Sequence, residues 1–471
     1  MDSTAGVVGS QSMTRRGFGQ HTAAFAATGL LAACAGPGRQ AGTGPAAGAK
    51  LQGKILLSVW GALYEDELYT ASYIPEFQKQ FPDVQVEFLR PAGNYREALE
   101  TSHAGGVAPD VMRQSATDAG HYVKSGMDRP LDEYIKTEKF NREDFYPHHW
   151  PHLQYNGKTY GIPQDTNQQG AYINRRLFQE AGLKLPDENY TYEQLARDAR
   201  VLSKVNATGN RQYALTAGYG IGLLYPLVFA QGGKVWKDAE KKEILLASDP
   251  FFKATEFLKR SLVDPGYMPT PEILAERGGT VKMFYNGEAA VLIDGTHRAP
   301  FTLKEAPDLD WMAVPYFTYG STKKTTAGFP YWSVWSQSKA PDAAAKMIFH
   351  MQGGEGPIKY WQQLWVAAPA NKSAVKSAAF KKVPGMAGHI PSLKDEAEWQ
   401  AKCAWQMWTL DRSEKAGGVI ETENISQWSP MIGTETGARV AKIFAATDPV
   451  RAKDALEDAT RAINGYIKQH G

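Results

Sequence analysis

The chain has 471 residues, 43% of them hydrophobic and 22% charged, with 52 Lys and Arg against 50 Asp and Glu for a formal net charge of +2. At roughly 100–200 residues per domain this is enough for two or three units, and the composition excludes wholesale disorder and a polytopic membrane protein. The near-cancelled charge argues against a nucleic-acid partner, and two cysteines, Cys34 and Cys403, make neither a disulfide framework nor a four-ligand zinc site.

In chain order, Arg15 and Arg16 are followed by Phe18 and by a charge-free, alanine-rich stretch over 22–33. That stretch is too short to span a bilayer, which takes about 20 apolar residues, but it has the length of an export signal's hydrophobic region. The arginine pair resembles a twin-arginine signal, and Leu31-Ala-Ala-Cys34 resembles a lipobox, which implies cleavage before Cys34 and lipidation of its thiol. Residues 1–33 therefore read as signal peptide, and 34–50, rich in Gly, Ala and Pro, as a flexible tether. Translation from Met13 is as compatible with this pattern as translation from Met1.

The folded part opens with a β-branched apolar run at 54–60, the pattern of a strand buried on both faces. Tyr69, Tyr73, Phe77 and Phe81 then recur at helical spacing, with Pro75 forcing a kink or a later start. Val84, Val86 and Phe88 alternate as a second strand, 95–103 is helical, and 108–112 is a third strand. This β-α-β-α-β order predicts an α/β fold with a doubly wound sheet. Asn156-Gly157 marks a tight hairpin, Thr191 to Gln194 a capping box, and Asp249-Pro250 a helix start. Residues 289–294 and 310–315 read as strands, and 341–352 as a helix led by proline.

Catalytic signals are sparse. No serine sits in Gly-x-Ser-x-Gly, no Gly-Lys pair completes a phosphate loop, and Leu223 replaces the third glycine of a dinucleotide fingerprint. His148, His149 and His152 cluster between Pro147 and Pro151 without a nearby carboxylate, so they read as a solvated or hydrogen-bonded loop rather than a metal site. No cofactor is expected. Asp165 and Asp294 form a carboxylate pair for glycoside hydrolysis only if the fold brings them together.

The chain carries 12 Trp, 22 Tyr and 19 Phe, and several stand beside glycine or proline at strand ends. Ligands of open α/β sheets bind beyond the carboxyl ends of strands, so these aromatics are candidates for a cleft; core packing is the competing place for any one of them. An aromatic face suits the C–H surface of a sugar, and carboxylates and amides suit its hydroxyls. The candidate contacts are Trp60, Tyr64, Trp236, Tyr331, Trp332 and Trp365 for stacking, and Asp165, Asn167, Asp294 and Arg298 for polar contacts. Arg298 has two uses: to orient Asp294, or to receive a phosphate or carboxylate of the ligand.

Phe77 to Val86, Ala108-Pro-Asp-Val111, 156–163, 171–174, 191–195, 284–292 and 338–344 occur in an order that resembles the family 1 extracellular solute-binding proteins of bacterial ABC importers. The resemblance implies a two-lobed periplasmic-binding-protein fold, type II-like, with a hinge and a cleft between the lobes. It implies an N-terminal lobe of 51–165 plus 295–340 and a C-terminal lobe of 166–294 plus 341–471. It also implies a monomeric, non-catalytic receptor held at the periplasmic or cell surface by a lipid anchor. Such a receptor captures a mono- or oligosaccharide and delivers it to a membrane permease. A receptor for a phosphorylated or carboxylated solute and an exported carbohydrate-active enzyme are the alternatives.

Overall fold

Two large sheets and a two-stranded hairpin make up the strands of the computed structural model, which describes residues 50–61, 65–205, 211–238, 240–364, 367–382, 405–407, 409–413, 419–422 and 425–470. Tyr64, Trp365, Cys34, Cys403, the whole signal and residues 34–49 of the tether fall outside them.

The first sheet runs in the order Val84–Leu89, Gly53–Ser58, Val111–Ser115, Pro330–Val334, Ile162–Pro163. Its first three strands are parallel, as β-α-β crossovers require, and the last two pair antiparallel. Between the first two strands, Leu68–Tyr73 forms a wide helical turn and Ile74–Gln80 an α-helix. Pro75 is the second residue of that helix, where its missing N–H goes unused, so the chain starts a new helix there. Asn156 and Gly157, at φ 50° and 72°, close a hairpin between Gln154–Tyr155 and Lys158–Thr159.

The second sheet centres on the ten-residue strand Asp165–Asn174, flanked by Thr325–Gly328 and Ala289–Gly295, with Trp311–Pro315 and Ala368–Pro369 also paired to it. Around it pack Tyr192–Leu202, opened by the Thr191–Gln194 capping box, and the helices Ile221–Ala230, Asp249–Leu258, Ser429–Ile443 and Ala452–His470.

The sheets divide the chain differently from the expected boundaries. Strands Trp311–Pro315 and Thr325–Gly328 belong to the second sheet, not to an N-terminal lobe of 295–340. Helix Pro341–Gln352 buries Ala344, Met347, Ile348 and Met351 against the first sheet, not the second. Local pattern gives the type of these elements, whereas their sheet is decided by pairing across more than a hundred residues. The chain changes sheet at Gln164, between Ile162–Pro163 and Asp165, returns at Phe329, between Thr325–Gly328 and Pro330, and changes again before Ala368–Pro369.

A polar pocket between the two sheets

Asn167 and Gly328, close in sequence to the first two crossings, line a cavity of about 340 Å³. Thr117, just beyond Val111–Ser115, brings the first sheet to its wall; Asn167 and Gln169 come from the crossing strand, and Asp294 from the end of Ala289–Gly295. His297 follows that strand, and Tyr225 comes from Ile221–Ala230. A larger cavity of about 440 Å³ is lined by Phe140, Lys346, His350 and Asn371 and touches no strand of the second sheet.

Asn167 is built into the turn after Gly295. Its Oδ1 accepts from Thr296 Oγ1 at 2.9 Å and from the His297 backbone N–H at 3.4 Å, and it lies 3.2 Å from His297 Nδ1. Asp294 accepts from the Gly295 N–H at 2.7 Å and from Arg298 Nε at 2.7 Å. Burial would lower the Arg298 pKa, but Asp294 beside it outweighs this and holds it above the usual value. Burial lowers the His297 pKa despite Asp294, so at neutral pH the ring is an uncharged hydrogen-bonding group. Gln169 Oε1 is buried without a partner, an acceptor on the pocket wall that a ligand hydroxyl or water can satisfy. Among the described residues of the wall there is one carboxylate and no lysine or arginine.

Glycines keep this space open. At Gly222, Gly328 and Gly433 an added Cβ would meet nothing within 4 Å, so any side chain there would project into unfilled space.

Of the expected contacts, the fold brings Asn167 and Asp294 to the pocket, while Arg298 stands behind Asp294 and lies 5.6 Å from the Phe301 ring. Trp60 is 36% exposed at the end of the first strand. Three aromatics expected at a cleft are core residues instead. Trp236 is 2% exposed among the second sheet's apolar side chains, and Trp332 is fully buried edge-on to Tyr69 in the first. Tyr331 is fully buried, donates to Asp128 Oδ2 at 2.9 Å, and sits so close to Gly161 that a Cβ there would come within 2.2 Å of the ring. The strand of Tyr331 and Trp332 is paired on both sides, so Pro330 beside them marks a strand start rather than a loop.

Asp165 is also interior. It is 1% exposed, accepts from Tyr360 Oη at 2.7 Å, and burial pushes its pKa up to about 7. It does not share the pocket with Asp294.

Of the two expected states of the histidine loop, His149 and His152 show the hydrogen-bonded one, and both are buried. His149 contacts Tyr146 O and Thr166 Oγ1, each at 3.0 Å, and His152 contacts Thr422 Oγ1 at 2.7 Å. Burial drops His148 and His152 to about 3, so these rings are neutral. Thr117, Gln169, Tyr225 and Ser429 line the pocket without any local motif to announce them, being gathered from four separate segments.

The family profile of bacterial extracellular solute-binding proteins matches residues 62–353. The chain belongs to that family. The family is one of extracellular solute-binding proteins. A multiple sugar-binding protein of Streptococcus mutans is 20% identical over 65% of this chain and 73% of its own length. A putative binding protein of Brucella abortus is 24% identical over 51% of this chain, which spans 59% of that relative's length. Among solved structures, an ABC substrate-binding protein of Listeria monocytogenes in complex with cycloalternan superposes with a TM-score of 0.74 at 20% identity. The match covers 88% of this chain and 99% of the other. The sugar-binding protein MalE of Xanthomonas citri superposes at 0.72 and 16% identity, covering 88% and 98%. Both likenesses identify the periplasmic-binding-protein fold.

Proposed function

We propose that this protein is the extracytoplasmic receptor of an ABC importer and that it captures a saccharide, without altering it, in the pocket between the two sheets. The observation that carries this reading is the chemistry of the wall. An amide, a carboxylate, a neutral imidazole and an unpartnered Gln169 carbonyl offer both donors and acceptors, and the described wall holds no cationic side chain. Such a wall suits many hydroxyls and gives an anion no counter-charge. Arg298, the candidate for an anionic solute, is committed to Asp294. Glycoside hydrolysis needs two carboxylates about 5–9.5 Å apart across the substrate, and Asp294 is alone on the described wall.

In this account Asn167, Asp294, Gln169 and His297 hold hydroxyls, Tyr225 and Trp60 offer ring faces, and closure of the lobes about Gln164 and Phe329 presents the loaded form to a permease. Export by the twin-arginine-like segment and lipidation at Cys34 keep the monomer at the membrane surface. The names of the relatives, a multiple sugar-binding protein and a cycloalternan-bound ABC protein, are consistent with this ligand class.

The test is a thermal-shift screen of the exported form against mono- and oligosaccharides, sugar phosphates and glycerol phosphate, followed by chromatography of each stabilising compound. A ligand at a hundred times its Kd adds about 2.7 kcal/mol to the folded state. The account expects a neutral saccharide to stabilise the protein and to be recovered intact. Stabilisation by phosphorylated compounds alone would move the assignment to an anionic solute, and a cleaved sugar would make the protein an enzyme.

A further inference from the structure

Trp60 is exposed, yet its surroundings are those of a fixed group. The Arg113 guanidinium carbon lies 4.8 Å from the centroid of its indole, and Arg113 Nη1 donates to Trp60 O at 2.9 Å. The same Nη1 donates to Glu65 Oε2 at 2.6 Å, while Nη2 lies 3.9 Å from Asp165 Oδ2. Arg113, Glu65 and Asp165 are 2%, 4% and 1% exposed, so a surface aromatic rests on a buried ionic cluster. The next residue is pinned as well. Gly61 O accepts from Arg90 Nη1 at 2.8 Å, Arg90 Nε is held by Asp66 at 2.6 Å, and a Cβ on Gly61 would stand 2.5 Å from the Glu65 carboxylate. Only glycine allows the chain to pass that close to Glu65 at a φ of 128°.

Asp165 is the first residue of the strand that crosses between the sheets, and Asn167, two residues on, lines the pocket. A single side chain thus touches both the exposed indole and the crossing. We infer that Arg113 is a positioning residue, which fixes the exposed Trp60 indole just past the carboxyl end of Gly53–Ser58 and ties its orientation to the crossing strand through Asp165. This inference rests on the saccharide reading for its purpose: an aromatic already held in place loses little side-chain freedom when a sugar ring docks on it. The arrangement differs from a stabilising salt bridge in its geometry. One arginine faces two carboxylates, and the second of them, at 3.9 Å, lies beyond hydrogen-bonding distance.

The groups around Asp165 are Arg113 from the first sheet, Glu65 from the turn after Trp60, Tyr360 from helix Gly356–Leu364, and His149, a neutral ring against its main chain. With burial holding the Asp165 carboxyl near neutrality, its ionisation changes how strongly Arg113 is drawn away from Trp60.

The experiment needs no ligand and is independent of the saccharide assignment. The exported form is labelled with 5-fluorotryptophan, and the Trp60 fluorine resonance is assigned by its loss in Trp60→Phe. In Arg113→Lys, which keeps the charge but loses the planar fork, the Trp60 resonance should shift or broaden while the other tryptophans stay in place. From about pH 5 to about pH 9 it should move in the wild type and stay still in Asp165→Asn. Should Arg113→Lys fail to fold, Asp165→Asn carries the test by itself. A Trp60 resonance that ignores both substitutions and pH overturns the inference, as does one that moves only together with all the other tryptophans. If the Trp60 signal responds as stated but no saccharide stabilises the protein, the positioning role stands and the ligand assignment falls.

Discussion

Replacing Gly433 with leucine separates the pocket from the fold. Gly433 lies in the second turn of helix Ser429–Ile443, its position lines the 340 Å³ cavity, and nothing lies within 4 Å of where its Cβ would be. Inside a helix, glycine is about 0.8–1 kcal/mol less favourable than a good helix former such as leucine. The unliganded variant should therefore be as stable as the wild type or gain up to about 1 kcal/mol, raising Tm by about 1–2 °C. The leucine would then occupy space the ligand needs. Forcing extra methylenes into a packed interior costs about 1–3 kcal/mol, which corresponds to a roughly fivefold to 150-fold increase in Kd. Calorimetric titration of both proteins with the stabilising saccharide measures this directly, and a thermal melt without ligand supplies the control. An unchanged Kd in a protein with an unchanged melt would refute the assignment of this cavity as the binding site.

Other substitutions report on separate parts of the account. Asn167→Ala and Asp294→Asn should each weaken saccharide binding about tenfold or more by calorimetry, since each leaves a ligand hydroxyl without its partner. Trp332→Ala should cost about 3–5 kcal/mol in a denaturant melt, because the indole is fully buried in the first sheet's core. Asp128, 3% exposed and bonded to Tyr331 and Gln114, has its pKa pushed up to about 7 by burial against the pull of those hydrogen bonds. A carboxyl raised from about 3.9 in the unfolded chain favours folding at low pH and loses that contribution as pH rises through 7. Asp128→Asn should thus remove about 2–3 kcal/mol of the wild type's decline between about pH 5 and pH 8 in pH-dependent melts. Cys34→Ser should move the protein from the membrane fraction to the soluble exported fraction, as an immunoblot of the two fractions would report.

The parts of the fold that were legible in the sequence are those decided within a few residues. Thr191 and Gln194 cap their helix reciprocally, Asn156-Gly157 turns a hairpin, and Pro341 starts a twelve-residue helix. Pairing across long separations was not legible. Nothing local in Thr325–Gly328 says that it lies along Asp165–Asn174 while the next strand, two residues later, joins the other sheet. The same limit governs the site. Asn167 and Asp294 stand next to turn residues and invite a polar reading, whereas Thr117, Tyr225 and Ser429 reach the pocket only through tertiary packing. Trp236, Tyr331 and Trp332 show the converse, since a residue beside glycine or proline looks like a loop residue until its strand is found paired or its ring enclosed. Composition could not rank these tryptophans, because burying a large aromatic and presenting one to a sugar call for the same side chain.

The measurement that bears most directly on the central claim is a crystal structure of the exported protein grown with the saccharide that stabilises it. The account predicts sugar density between Thr117 on one side and Asn167, Asp294 and His297 on the other, with every glycosidic bond intact. Sugar density confined to the outer cavity beside Phe140, Lys346 and His350, with water alone between the sheets, would contradict it.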